Sequence, residues 1–206
     1  MSTFALPNPC LQGTMVLEQV LAARRTTRTF KSKPISLDQL SQLLWAAQGI
    51  TGPDGRRNTP SAGAMFLLEL CVLIGSVDQL RAGAYRYVAA THALERVSDR
   101  ELRAVVAKAA IGEQPWLEQA AVVVILAANA SEALDHFKDQ PPIGQRGFRY
   151  VNMEVGHAAQ NMYLQATALG LGGVFVGGFD DDAIVRLQIL SAKHDPFGLM
   201  AIGHVS

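Results

Sequence analysis

The feature that most constrains the fold is an uninterrupted apolar run, AAVVVILAA, at Ala120–Ala128. A helix needs about 20 apolar residues to cross a bilayer, so this run is too short to be a membrane span. A short apolar run without polar alternation is typical of a buried strand. Residues 65–74, MFLLELCVLI, predict a second buried strand of the same kind. Buried strands of this length require other elements to cover them, so we expect a layered domain.

Helices and one hairpin separate the expected strands. Ser36 and Gln39 form a capping-box pattern before a helix that Gly49 ends, and Ser98 with Glu101 predicts a second capped helix. The other expected elements are helices over 14–24, 148–169 and 181–190, a hairpin of 85–88 and 92–97, strands at GGVFVGGF and GLMAIGHV, and an irregular segment over 130–146. This order predicts an α+β or mixed α/β layered fold.

Length and composition restrict the class of protein. A chain of 206 residues is expected to form one domain, which we place at 14–206 behind a proline-rich arm at 1–13. The 18 basic and 18 acidic residues balance, which argues against a general nucleic-acid binder or a polybasic membrane protein. Charged residues make up only 17%, below the usual level of about 25%, so we expect surface to be buried in an oligomer.

The two cysteines and the first residues bear on compartment and metal content. Two cysteines cannot build a disulfide framework or a zinc site, so no metal site is predicted. The start of the sequence, MSTFALPNPC, lacks the basic and apolar regions of a secretory signal. We therefore expect a soluble cytoplasmic protein.

A basic segment, RRTTRTFKSK, follows the first expected helix and includes Arg24, Arg25, Thr26 and Arg28. Guanidinium groups bind two oxygens at once and neighbouring hydroxyls can add further bonds, so this pattern suits a phosphate. The alternative is a solvated basic face, which is the usual meaning of a charge run.

Two segments of small residues could lie against a flat ligand. Pro60, Ser61, Ala62 and Gly63 enter a buried strand, and the pair Gly177–Gly178 lies between a strand and a helix. Glycine has no side chain to block a ligand from the backbone, but an ordinary turn would have the same composition.

A polar stripe crosses the long expected helix. Glu154 and His157 are three residues apart, and His157 and Asn161 are four apart, so the three can share one helix face. Such residues could bind a metal, but no further acidic or cysteine ligand has the right spacing. A buried stripe that satisfies loops or a subunit interface is the better interpretation.

Together and in order, several segments resemble the nitroreductase superfamily of flavin enzymes, and within it the SagB-type, azoline dehydrogenase-like branch. The resemblance covers about residues 14–204. The segments that carry it are RRTTRTF, SLDQLSQLLWAAQGI, NTPSAGAMFLLEL, RGFRYVNMEVGHAAQNMYLQATALGLGGVFVGGFDDD and the last strand. It implies an α+β fold of three layers, with a central, mostly antiparallel sheet flanked by helices in an intertwined homodimer.

The resemblance also implies a cofactor and its ligands. Two FMN molecules would lie at the dimer interface. Arg24, Thr26 and Arg28 would contact the FMN phosphate, ribityl chain and pyrimidine edge, and Arg25 often joins them. The other subunit would supply Pro60, Ser61, Ala62 and Gly63 to the flavin ring, and Gly177 and Gly178 would line the opposite side of the ring.

The implied activity is FMN-dependent oxidoreduction in two half-reactions, by hydride transfer through flavin N5. The expected donor is NAD(P)H and the expected acceptor is flat, such as a nitroaromatic or quinone. In azoline oxidases a Lys-Tyr pair before the long helix is implicated in proton transfer. Here Lys138 precedes Asp139 and Tyr150 follows Arg149, so the nearest candidates, Lys138 and Tyr150, are not adjacent.

Three alternatives remain open at this stage. The first is an azoline-to-azole dehydrogenase that acts on a modified peptide, with or without a partner cyclase. The second is a flavin-binding module without turnover, and the third is an interaction protein that uses its basic arm. Bound flavin and turnover distinguish these possibilities.

Overall fold

One sheet of seven antiparallel strands organises the computed structural model, which describes residues 3–206. The strands are β1 Thr3–Ala5, β2 Leu68–Ile74, β3 Gly83–Val88, β4 Ala93–Ser98, β5 Val122–Ala128, β6 Leu171–Val176 and β7 Asp195–His204. Their order across the sheet is β1-β4-β3-β2-β5-β7-β6. The helices are α1 Leu17–Ala23, α2 Leu37–Gln48, α3 Arg103–Ala109, α4 Trp116–Gln119, α5 Ala130–His136, α6 Arg146–Ala168 and α7 Asp181–Val185.

The apolar run of the sequence becomes β5, which lies between β2 and β7. Successive side chains of a strand point to opposite faces, so a strand covered on both sides must be apolar throughout. Val122, Val124 and Leu126 belong to the core on one side of the sheet, and Val123 and Ile125 belong to the core on the other side. The absence of polar alternation in this segment therefore reflects two covering layers.

Helices α2, α5 and α6 cover one face of the sheet, and α3, α4 and α7 cover the other. The capping box before α2 is confirmed: Ser36 Oγ accepts from the Gln39 amide at 3.1 Å, and Gln39 Oε1 accepts from the Ser36 amide at 2.9 Å. Leu40, Leu43 and Leu44 of α2 are fully buried on the α6 side. The predicted α+β fold, with an antiparallel sheet between helical layers, is confirmed.

Three local predictions are wrong. Ser98 ends β4, where it pairs with Ala84, and its Oγ accepts from the Arg100 amide at 3.2 Å. The following helix starts only at Arg103, so Ser98 cannot cap it. Part of the segment 130–146 that was expected to be irregular forms α5, whose N-cap Asn129 accepts from the Glu132 amide at 3.1 Å. Helix α7 ends at Val185, although Asp180 caps it as predicted.

The first described residues form β1, an edge strand that pairs with β4 and that the sequence pattern did not predict. After it, the chain is held by His92, whose Nε2 lies 2.9 Å from the Pro7 carbonyl and 2.7 Å from Ser41 Oγ. The Tyr87 hydroxyl is 2.8 Å from His92 Nδ1. Within residues 3–206, no helix is both long and apolar enough to cross a membrane.

Candidate functional site

Arg28 lies at the rim of a cavity of about 300 Å³ beside the end of β6. The cavity is lined by Arg28, Gly112, Gln114, Trp116 and the stretch Val174–Gly178. We call it the arginine cavity. It brings one predicted arginine together with both predicted glycines, although Arg28 and the glycine pair are far apart in the sequence.

Gly177 and Gly178 keep the arginine cavity open. Neither has a positive φ, so neither position requires glycine for its backbone conformation. A Cβ at Gly177 would come no closer than 3.9 Å to Phe175, and one at Gly178 would lie 3.8 Å from Ile111, which are ordinary contacts. The packing of the chain therefore does not demand glycine at either position. What these glycines preserve is space against the backbone.

The Arg28 guanidinium lies over the Trp116 ring, with Cζ 5.7 Å from the ring centroid. Within residues 3–206, Arg28 pairs with no carboxylate, so its charge is uncompensated at the cavity rim. The Trp116 Nε1 donor is buried and has no hydrogen-bond partner among these residues. An unpaired cation at a cavity is the group that an anionic ligand would satisfy.

Arg24 lies close to the cavity wall. Its guanidinium stacks on Tyr163 of α6 at 5.4 Å, and the Tyr163 hydroxyl accepts from the Phe175 amide at 2.7 Å. Thr26 bridges to Gly173 at the edge of β6, which fixes the arginine segment beside the strand. Arg25, in contrast, donates to the carbonyls of Ala22 and Arg24, and so caps its own helix.

The second predicted ligand segment, Pro60–Gly63, is here called the serine loop. None of its residues lines the arginine cavity. A short 3-10 turn spans Ala62–Ala64, in which Gly63 has φ +61°. A Cβ at Gly63 would lie 3.3 Å from Phe137 Cζ, so the loop packs against the chain just after α5. Within one chain the two predicted contact surfaces are thus separate.

A buried polar cluster lies under the serine loop, and the long-helix stripe contributes to it. Glu154 is 5% exposed, and burial raises the pKa of its carboxyl. The Ser61 hydroxyl, the Arg57 charge and the Gln48 amide oppose that rise. Asn161 donates to the Ala46 carbonyl at 3.1 Å and to Thr59 Oγ1 at 3.3 Å. His157 is exposed, so the three predicted stripe residues do not act as one group.

Lys138 and Tyr150, the predicted proton-transfer candidates, make separate contacts in the structure. Lys138 is exposed, and its Nζ lies 3.2 Å from Asp135 Oδ1. The Tyr150 hydroxyl donates to Gln140 Oε1 at 3.1 Å. The Tyr150 ring packs edge-on against Phe137 at 4.7 Å. Because Phe137 also adjoins Gly63, Tyr150 lies near the serine loop, whereas Lys138 is directed to the surface ion pair.

Sequence reasoning missed the aromatic and cationic partners of the predicted residues. Trp116 supports Arg28, Tyr163 supports Arg24, and Arg57 lies beside Glu154. The pattern QPWLEQ gave no sign of a site, because a lone tryptophan before a short helix is ordinary. Among residues 3–206, no three His, Cys, Asp or Glu side chains are grouped to hold a metal ion.

Comparisons with known proteins place the chain in a family. The profile of the nitroreductase family matches residues 21–204. A candidate nitroreductase from Methanocaldococcus jannaschii is 43% identical over 187 residues, which are 91% of this chain and 90% of that protein.

Solved structures are also similar to this chain. A candidate nitroreductase from Ralstonia eutropha has a TM-score of 0.83 at 28% identity, over 99% of this chain and 90% of that chain. One chain of the E. coli microcin synthetase McbBCD complex, solved with truncated pro-MccB17 bound, has the same fold, with a TM-score of 0.70 at 22% identity over 98% of this chain and 78% of that chain. The match over nearly the whole chain and the close relative together show that the chain belongs to the nitroreductase family.

Proposed function

We propose that the protein is an FMN-dependent oxidoreductase that passes electrons from NAD(P)H to a flat acceptor of the nitroaromatic or quinone kind. The observation that carries the proposal is the arginine cavity, where an unpaired Arg28 faces two glycines that neither backbone nor packing requires. Membership of a family of oxidoreductases supports this function.

The residues at the arginine cavity fit the chemical groups of FMN. Arg28 and Arg24 would hold the phosphate and the pyrimidine edge, and Thr26 would add a hydroxyl contact. The Trp116 ring supports the Arg28 guanidinium from below. The exposed backbone of Gly177 and Gly178 would let a planar ring approach closely. We assign Arg25 a minor role, because its guanidinium already caps helix α1.

The serine loop would complete the site from a second copy of the chain. It does not line the arginine cavity of its own chain, so Pro60, Ser61, Ala62 and Gly63 need a partner subunit to reach the same ring. The surface offers a face for this partner: Leu17 and Leu21 of α1 and Met153 of α6 are all about half exposed. Gly156, one turn after Met153, has no atom within 4 Å of its Cβ position, so another helix can approach closely there. We propose an intertwined homodimer.

When bound, FMN would supply hydride exchange at N5, and the protein would supply orientation and electrostatics. Arg28 would stabilise negative charge that accumulates on the reduced ring near its pyrimidine edge. The glycines leave one face open for a flat donor or acceptor, which must approach to about 3–3.5 Å for reaction.

Azoline oxidation on a modified peptide is the second candidate, and it would place the chain in the SagB-type branch. The shared fold with the McbBCD structure favours considering it. That reaction requires a base to remove a carbon-bound proton. Lys138 is held in a surface ion pair and Tyr150 donates to Gln140. We therefore rank azoline oxidation below acceptor reduction.

Flavin content and flavin reduction test the proposal. The purified protein should show the two visible absorption bands of bound flavin, and stopped-flow mixing with NADPH or NADH should bleach them. A model thiazoline peptide serves as the competing reductant. Fast bleaching by the peptide that is lost in Tyr150→Phe or Lys138→Ala, with none by either nicotinamide, would reverse the ranking. A protein that binds no FMN when reconstituted would overturn both candidates.

Sedimentation tests the dimer. The protein should form one dimeric species at low micromolar concentration, with an interface above about 2,000 Å² as in obligate dimers. Met153→Lys should yield monomer and lose flavin together, because the serine loop then no longer reaches the ring. Val105→Lys makes the same charge change at an exposed apolar residue of α3, on the opposite face of the sheet, and should leave the dimer intact. A monomer that retains flavin would contradict the proposal.

A further inference from the structure

Ile111, which follows helix α3, is one of the most exposed large apolar residues among residues 3–206, at 69%. A single exposed apolar side chain is common on protein surfaces and has no meaning by itself. Ile111 differs from such residues in two respects. Its backbone is fixed on both sides, and its side chain stands at the mouth of the arginine cavity.

The backbone of Ile111 is bonded through both its amide and its carbonyl. The Ile111 amide donates to the Gly178 carbonyl at 2.9 Å, and the Gln114 side-chain amide donates to the Ile111 carbonyl at 2.7 Å. A neighbouring bond, from the Asp180 amide to the Ala109 carbonyl at 2.8 Å, continues the same antiparallel pairing. The residue is therefore held in place before any ligand arrives, so a contact with it costs little ordering.

The side chain of Ile111 lies beside a glycine that lines the arginine cavity. Its Cβ and Cδ1 are 3.8 and 3.9 Å from the position that a Cβ would take at Gly178. The next residue, Gly112, also lines the cavity, and its φ of +72° is the left-handed conformation of a turn. After this turn, Gln114 and Trp116 return to the cavity wall. Ile111 does not line the cavity itself but stands between two residues that do.

This position separates two kinds of ligand contact. A molecule that fills the arginine cavity, about 300 Å³ in volume, meets Arg28, Trp116 and the glycine backbone. A second molecule that stacks on the first from outside meets the mouth, where Ile111 offers exposed aliphatic surface. Burying such a side chain favours the binding of an apolar molecule, and a hydrophilic molecule gains nothing from it. The mouth therefore suits a second molecule that is apolar.

We infer that Ile111 is a specificity-determining residue, whose side chain contacts the ring of the flat acceptor and so favours apolar acceptors over small hydrophilic ones. The inference rests on the proposed function for the binding of FMN in the cavity. The apolar mouth itself does not depend on that function, since its contacts are formed within one chain.

Equilibrium binding tests the contact without turnover. Menadione, a flat apolar quinone, is titrated into the oxidised, FMN-loaded protein without an electron donor, and quenching of tryptophan fluorescence reports its binding. In Ile111→Ser the dissociation constant of menadione should rise about fivefold to tenfold, the scale of partly burying one aliphatic side chain. The dissociation constant of FMN should stay close to that of the wild type, because Ile111 does not line the cavity. Ile111→Leu should retain menadione binding, and Val105→Ser, at an exposed apolar residue of α3, should leave it unchanged.

Steady-state kinetics adds a second readout. With NADPH or NADH as donor, Ile111→Ser should raise KM for menadione and leave kcat almost unchanged, because a contact that is equally strong in the ground state and the transition state affects KM alone. Reduction of ferricyanide, a small hydrophilic acceptor, should proceed as in the wild type. A general distortion of the site would instead slow the reduction of both acceptors.

Three results would overturn the inference: menadione binding in Ile111→Ser equal to that of the wild type, an equal loss of FMN binding, or conversion of this variant to a monomer. The second would make Ile111 a flavin contact, and the third would place it in a subunit interface. A wild type that binds no FMN would sink the proposed function. Anilinonaphthalene sulfonate, a flat apolar anion that fluoresces when bound, would then still test the mouth. Its binding to the flavin-free protein should weaken in Ile111→Ser and not in Val105→Ser, and equal binding in the two variants would remove the apolar contact.

Discussion

The arginine cavity and the serine loop are built in opposite ways. In the cavity Gly177 and Gly178 have no positive φ and leave space, and the charge of Arg28 is unpaired at the rim. In the loop the backbone has positive φ at Gly63, Ala64 and Phe66, the Ser61 hydroxyl accepts from the Phe66 amide, and the Arg57 guanidinium lies over the Phe66 ring. The cavity is preformed, whereas the loop depends on the groups that support it.

Because of this difference, mutations in the two regions should affect ligand affinity and the free energy of unfolding to different extents. A change in the arginine cavity should alter ligand affinity far more than the free energy of unfolding, because the cavity glycines make no close packing contact and the arginines give up one aromatic contact each. A change in the serine loop should alter both, because the conformation of the loop and the stability of the fold share the same contacts.

The largest effect is expected at Arg28. Arg28→Ala should weaken FMN binding by about 1.5–3 kcal/mol, the value of a hydrogen bond to a charged group, with little change in melting temperature. Arg24→Ala should have an effect in the same range, and Arg25→Ala a smaller one. Flavin occupancy after dialysis measures all three, with exposed Arg100→Ala as the matched control. Full occupancy in both Arg28→Ala and Arg24→Ala would remove the assignment.

A comparable but smaller effect is expected from filling the cavity. Gly178→Val should weaken FMN binding by about 2 kcal/mol, since the added carbons occupy space that the ring needs. Its melting temperature should stay close to that of the wild type, because the Cβ meets only Ile111 at ordinary distance. Calorimetric titration with FMN and thermal unfolding give the two readouts, and Gly13→Val is the control. A large loss of stability would show that the cavity glycines serve packing instead.

Gly63→Ala should show the reverse of the Gly178→Val result: the fold should lose stability more clearly than it loses affinity for FMN. Its φ of +61° disfavours a Cβ, so the fold should lose about 1 kcal/mol of unfolding free energy. The new Cβ would also press on Phe137 at 3.3 Å. Urea unfolding of the ligand-free protein measures this loss. An alanine variant as stable as the wild type, but deficient in FMN binding, would place Gly63 with the cavity glycines.

The smallest effect is expected at His92, whose two ring nitrogens are both hydrogen-bonded. Burial lowers the pKa of His92 below its ordinary value of 6.5, so the folded state disfavours its protonated form. Stability should therefore be intact above about pH 6.5 and decline by a fraction of a kcal/mol as the pH falls through the lowered pKa. His92→Gln should flatten this decline in urea unfolding between pH 7.5 and pH 5. Stability that falls instead as the pH rises through neutrality would contradict the lowered pKa of His92.

The sequence allowed the layered fold to be predicted because its strongest signals are local. The apolar runs of β2 and β5 each indicate a buried strand, and the capping box at Ser36 indicates the start of a helix. Each signal lies within a few neighbouring residues. The pattern at Ser98 failed because pairing with Ala84 extends β4 through that residue, and long-range pairing overrode a local cap. Helix α5 could have been found from Asn129 and Glu132, a capping pattern of the same kind.

The candidate site was only partly accessible to sequence analysis. Arg28 and Gly178 could be selected by residue type and by resemblance. Their neighbour Trp116 could not, because the contact joins elements that are close only after folding. The contact of Arg57 with the Phe66 ring was equally hidden, since an arginine in a polar loop gives no sign of the ring that it will contact.

The order of strands in the sheet affects how the chain can fold as it is synthesised. Strand β7 is made after all the others, yet it lies between β5 and β6. Until β7 emerges, β6 has no neighbouring strand, and the inner edge of β5 has no partner on that side. Pairings so distant in sequence form slowly, and open strand edges invite aggregation in the meantime. A ribosome that stalls shortly before residue 195 should therefore leave an aggregation-prone sheet, even though most of its core residues have already been made.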